Sequence, residues 1–160
     1  TGCESEWFLY KGYFGYRLSM TLAIINRDQP KINRVQHKLG WRFNAELFDN
    51  ALARGYIGRG NCPGGYSLLL KRVLAVAGDT VLIDQAGIVV NGEHLPNSAQ
   101  LKADASNQSL PQYRFDAVLG DAEYLLLSDL NPQSFDARYF GFIARDQIKQ
   151  VVRPILTWRH

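Results

Sequence analysis

The sequence contains no apolar run approaching the roughly 20 residues needed to cross a bilayer. Nor does it open with the basic start and apolar segment of a secretion signal, so the chain as written reads as soluble. Cysteine is scarce. Cys3 and Cys62 stand too far apart for a CxxC redox pair or a zinc knuckle, and the sequence predicts no metal ligand set and no cofactor. The two residues are open to one disulfide or two buried thiols. Histidine is equally sparse, with His37, His94 and His160 far apart in the chain. The glycine-dense stretch Gly58 to Gly65 is followed by no GK[ST] triplet, so it is not a phosphate loop. A strong excess of one charge is also missing. The net charge is +3, with Lys and Arg scattered and no basic stripe interleaved with aromatics, which argues against a nucleic-acid partner. No internal repeat is present.

What is there suits a globular protein. At 160 residues, 46% hydrophobic and 21% charged, the chain is expected to form a single domain over residues 1–160 with a real core. The first segment is dense in rings, Trp7, Phe8, Tyr10, Tyr13, Phe14 and Tyr16. Such a cluster suits either core packing or a membrane interface. The apolar patch Leu22 to Ile25 predicts a strand. A short helix follows later, with Asn44 as its cap, Leu47, Phe48, Ala51 and Leu52 on one face, and Gly55 just past its end. Thr80 to Ile83 and Ile88 to Val90 predict a hairpin, and Asn91-Gly92 a tight turn after it. Pro96 to Pro111 is polar and reads as a surface loop. Tyr124 to Leu127 predicts a buried strand, and a last strand is expected from about Ile148 to Trp158. Short strands outnumber helices, so the fold class is mostly β with one or two short helices.

The stretch that organises the chain runs from Leu68 to Asp79. It is an apolar run rich in branched residues that ends at a Gly78-Asp79 turn, which predicts a buried strand, yet Lys71 and Arg72 lie inside it. Alternation puts Leu69, Lys71, Val73 and Ala75 on one face and Leu70, Arg72, Leu74 and Val76 on the other. The residues alone allow two readings. Either both heads reach water from apolar stems, or Lys71 is a desolvated amine. Burial disfavours the charged form of a lysine, and a neutral amine is able to act as general base for a serine.

Lys71-Arg72-Val73 followed by Gly78-Asp79 resembles the lysine box of type I signal peptidases. The segment Ser134-Phe135-Asp136-Ala137-Arg138-Tyr139-Phe140-Gly141 resembles that family's last box. Several further stretches are similar to its conjugative-transfer (TraF-type) branch. These are Arg54 to Ile57, Asn61 to Tyr66, Val90-Asn91-Gly92, Leu95 to Ser98, Arg153-Pro154 and Thr157-Trp158. The resemblance implies a signal-peptidase-like β-rich fold and a Ser/Lys dyad. It also implies cleavage of exported proteins, pilin or other conjugative-transfer substrates, at small residues on the periplasmic face of the bacterial inner membrane.

By matched position, Ser19 is the nucleophile and Lys71 the base. Ser134 hydrogen-bonds and orients the lysine, and Asp136 and Arg138 form a structural ion pair. The backbone N–H of Ser19 is expected to hold the oxyanion. No histidine is required, since His37, His94 and His160 fall outside every matching box. A second register of the N-terminal region places the nucleophile position on Ala23, which implies a catalytically inactive assembly or binding factor of a pilus or transfer system. The family's cysteine partner for Cys62 is missing near Phe43, which leaves a bridge to Cys3 as the candidate disulfide. The partners implied are an exported protein or prepilin and a membrane surface, and an upstream membrane anchor is expected before Thr1.

Overall fold

The computed structural model describes residues 20–23, 45–61, 65 and 67–152. The ring cluster Trp7 to Tyr16, Ser19, the cap Asn44, Cys3, Cys62, and the last predicted strand beyond Val152 lie outside these residues.

The architecture is mostly β. In chain order the elements are β1 (Met20–Ala23), α1 (Ala45–Ala53), β2 (Leu69–Ala75), β3 (Thr80–Asp84), β4 (Gly87–Val90), β5 (Glu93–His94) and β6 (Phe115–Val118). There follow β7 (Glu123–Leu127), α2 (Ala137–Phe140), β8 (Ile143–Ala144), a 3-10 turn at Arg145–Gln147, and β9 (Ile148–Val152). They form a five-stranded sheet in the order β8-β7-β2-β1-β9 and a four-stranded sheet in the order β5-β4-β3-β6. Every strand pair is antiparallel.

The lysine strand β2 is the centre of the larger sheet. Its register sets Lys71 opposite Thr21 of β1, and Arg72 opposite Leu127 of β7. The apolar run was expected to stay buried to its end, but the strand stops at Ala75, and Val76 is 42% exposed. The cause lies in the turn. Asp79 Oδ2 accepts from Val76 N–H at 2.8 Å, which takes that donor out of the ladder, and Gly78 adopts a φ of +90°. The other Asp79 oxygen accepts from Asn91 Nδ2 at 2.8 Å, and Asn91 Oδ1 accepts from Thr80 N–H at 2.9 Å. The Gly-Asp and Asn-Gly signals are therefore two halves of one joint, which carries the chain from the first sheet into the second.

The β3–β4 hairpin forms with the register Ile83 to Ile88, and Asn91 (φ 51°) and Gly92 (φ 84°) supply the left-handed turn after it. Helix α1 buries Phe48 and Ala51, and Gly55 at φ 74° ends it. Phe142, just ahead of β8, meets Phe115 of β6 edge-on with centroids 4.5 Å apart, and Phe135 stacks on Tyr139 of α2 at 6.0 Å.

The stretch Pro96 to Pro111 departs from a plain surface loop. Ser98 and Gln100 are buried. Ser98 Oγ accepts from Ile88 N–H at 2.9 Å and donates to Leu95 O at 2.6 Å. The Gln100 side chain donates to Asp84 O and Tyr113 O and accepts from Tyr113 N–H at 2.7 Å, as a third strand would. Polar composition misled here because these side chains stand in for backbone partners. Gln100→Ala leaves those groups buried and unpaired, and should lower stability by about 2–4 kcal/mol. Denaturant unfolding with an unchanged slope measures this.

Candidate active site

The site forms where β2 passes the loop that joins β7 to α2. Lys71 is 8% exposed, although it is a lysine on a central strand. Its Nζ donates to Ser134 Oγ at 2.6 Å and to Ser128 Oγ at 3.3 Å. Ser128 follows directly on β7. One position beyond the Arg72–Leu127 pair, it stands across from Lys71. Among the described residues, no carboxylate reaches Lys71 within ion-pair distance.

The loop that brings Ser134 to the lysine is shaped by Asp136 and Arg138, both fully buried. Arg138 Nε and Nη2 each lie 2.8 Å from a different oxygen of Asp136, a fork-to-fork pairing. The remaining guanidinium donors go to main-chain carbonyls of Asn97, Asn131, Pro132 and Ser134 at 2.7 to 3.1 Å. Asp136 also caps α2 by accepting from Arg138 N–H, and it accepts from Ser128 N–H at 3.1 Å. One ion pair thus fixes the backbone at both serines that touch the lysine. Arg72, on the other face of β2, pairs with Asp129, and Asn97 Nδ2 donates to Asp129 O at 2.8 Å.

Burial pushes the Lys71 amine below the ordinary lysine range. Asp136 opposes this and Arg138 reinforces it. Arg138 takes both oxygens of Asp136, so that carboxylate makes no ion pair with the lysine, and its pull toward the ammonium is outweighed by burial. Among the described residues, no group of three His, Cys, Asp or Glu gathers to hold a metal. No helix among them is long and apolar enough to cross a membrane.

Of the residues singled out from the sequence, Lys71, Ser134, Asp136 and Arg138 are brought together. Ser19 lies outside the described residues, and Ala23 stands in β1 opposite Leu69. Sequence reasoning gave no role to Ser128, Asn97 or Asp129. The available signal was a hydroxyl directly after the apolar run Tyr124 to Leu127, but its meaning depends on strand register.

The profile described as "Signal peptidase, peptidase S26" matches residues 19–157, and the chain belongs to this family. Within it the chain is similar to the plasmid transfer protein TraF of Escherichia coli, 54% identical over 113 residues, which is 70% of this chain and 64% of that protein. It is also similar to the probable conjugal transfer protein TraF of Sinorhizobium fredii, 36% identical over 110 residues, 68% of this chain and 56% of the relative. The matches thus span less than two thirds of these relatives' length. A solved signal peptidase I from Enterococcus faecalis aligns over 88% of this chain and 97% of its own. At 17% identity and a TM-score of 0.39, that likeness adds nothing to the family match.

Two outcomes follow from this geometry. The folded-state pKa of Lys71 lies below its unfolded value of about 10.4, so across that window the unfolded chain binds more protons. Stability is therefore lost as pH falls toward the folded value, at up to about 1.4 kcal/mol per pH unit. Lys71→Met should be more stable than the parent at neutral pH, and the gain should shrink as pH rises toward 10, as read by denaturant unfolding across pH. Arg138→Met strands a buried carboxylate and should cost about 3–5 kcal/mol in the same measurement.

Proposed function

We propose that the chain is a serine endopeptidase in which the neutral amine of Lys71 is the general base for Ser19. The observation that carries this reading is the Lys71 amine itself, buried, held by serine hydroxyls and free of any carboxylate ion pair among the described residues. A serine hydroxyl is a weak nucleophile until a base takes its proton, and a desolvated lysine is such a base. In the first half-reaction Ser19 Oγ attacks the scissile carbonyl while Lys71 Nζ accepts its proton. The resulting ammonium gives that proton to the leaving amine. Lys71 then takes a proton from a water that attacks the acyl ester, and it returns that proton to Ser19 Oγ as the ester bond breaks and the acid product leaves.

Support for Ser19 comes from chain geometry. Thr21 is the register partner of Lys71, and two residues of chain reach at most about 7 Å. Ala23 is as near in sequence to Thr21, but it has no hydroxyl. Family membership and the transfer-protein relatives support a role in maturing exported proteins for conjugative transfer, pilin among them, at the periplasmic face of the inner membrane. The rings Trp7 to Tyr16, just ahead of Ser19, suit a site held against the membrane surface from which such substrates emerge.

The test is cleavage of a peptide carrying small residues around its scissile bond, followed by mass spectrometry across pH. Activity should rise with pH through the lowered pKa of Lys71, since only the neutral amine accepts a proton. Ser19→Ala and Lys71→Arg should each reduce the rate by at least about 100-fold. An unaltered rate in either variant rejects the dyad. Cleavage that appears only in Ala23→Ser would make the parent chain an inactive assembly or binding factor.

A further inference from the structure

We infer that Ser128 is a positioning residue for Lys71, its hydroxyl acting with that of Ser134 to fix the rotation of the lysine amine. This rests on the reading of Lys71 as general base. A neutral amine has two N–H bonds and one lone pair. Ser134 Oγ at 2.6 Å and Ser128 Oγ at 3.3 Å accept the two N–H groups, so the lone pair is left pointing along the third tetrahedral direction. With Ser134 as the one acceptor, the second N–H and the lone pair are free to exchange between the two remaining tetrahedral directions.

The fold builds this second contact independently of the first. Ser134 is placed by the ion-paired loop, whereas Ser128 is placed by strand register, one step beyond Leu127, and by its N–H bond to Asp136 Oδ2. The two hydroxyls therefore approach the amine from different elements. In the protonated state the same oxygens accept from the ammonium, and its third N–H faces the reacting group. Among the described residues, the charged groups acting on Lys71 are Asp136 and Arg138, and Arg72 pairs with Asp129 on the opposite face of β2. A substitution of the Ser128 side chain changes none of them.

The test is the titration of Lys71 in protein labelled with carbon-13 at lysine Cε, the signal being assigned by its loss in Lys71→Met. Ser128→Ala keeps the backbone bond to Asp136 but removes an acceptor that favours the ammonium, so the Lys71 midpoint should move to lower pH. In the cleavage assay its plateau kcat should fall about three- to tenfold with KM unchanged, while the acid limb of the profile moves to lower pH. Ser128→Thr should restore both values. Should the alanine variant not fold, Ser128→Cys, a weak acceptor of similar size, should show the same displaced midpoint. A midpoint equal to that of the parent overturns the inference whatever the rate does. The titration requires no turnover. A displaced midpoint in a chain that cleaves nothing would therefore uphold the contact and reject the general-base reading instead.

Discussion

The site depends on one buried ion pair. Asp136 and Arg138 are both removed from water, a placement that costs several kcal/mol per charge unless the partners and remaining donors are all satisfied. Here they are satisfied by geometry. The guanidinium spends two donors on the carboxylate and the others on four main-chain carbonyls, from Asn97 in the turn after β5 to Ser134 in the loop itself. A loop with no regular ladder of its own thereby acquires a fixed path, and the hydroxyls of Ser128 and Ser134 arrive at the same amine. Among the described residues, Asp136 is the carboxylate whose charge acts on Lys71, and the pair engages both of its oxygens. Scaffold and electrostatics are here the same interaction.

Lys71 shows what this arrangement is for. β2 lies at the centre of the larger sheet between β1 and β7, and Lys71 is buried there, where an apolar side chain is the ordinary occupant. A lysine instead lowers stability at neutral pH, because the unfolded chain binds the proton more readily. Such a penalty is characteristic of residues kept for chemistry rather than for packing. The companion charge on the opposite face, Arg72, is handled differently. It pairs with Asp129, so two adjacent basic residues on one strand meet different partners, a carboxylate for Arg72 and serine hydroxyls for Lys71.

Local signals carried much of the fold. The short apolar runs Thr80 to Ile83 and Ile88 to Val90 announced the second sheet's hairpin and Asn91-Gly92 the turn after it, and the helix was announced by the apolar face that holds Phe48 and Ala51 with Gly55 past its end. Their physics lies within a few residues of chain. The anomaly of a lysine in an apolar strand was visible for the same reason, and the spacing of Ser134, Asp136 and Arg138 was visible through a resemblance. What was not legible depended on tertiary placement. The burial of Ser98 and Gln100 reflects what the hairpin needs from another segment, and the contact of Ser128 with Lys71 follows from β2–β7 register. The early end of β2 came from a side chain, Asp79, capturing a backbone donor that composition assigns to the ladder.

The central claim is that Lys71 activates Ser19 as the nucleophile, and covalent capture tests it most directly. The chain is treated with a serine-reactive acylating probe, digested, and the modified peptide sequenced by mass spectrometry. The account predicts a single adduct on Ser19 that forms faster as pH rises and is lost in Lys71→Met. An adduct on another serine, or one on Ser19 that forms equally well without the lysine, would contradict it.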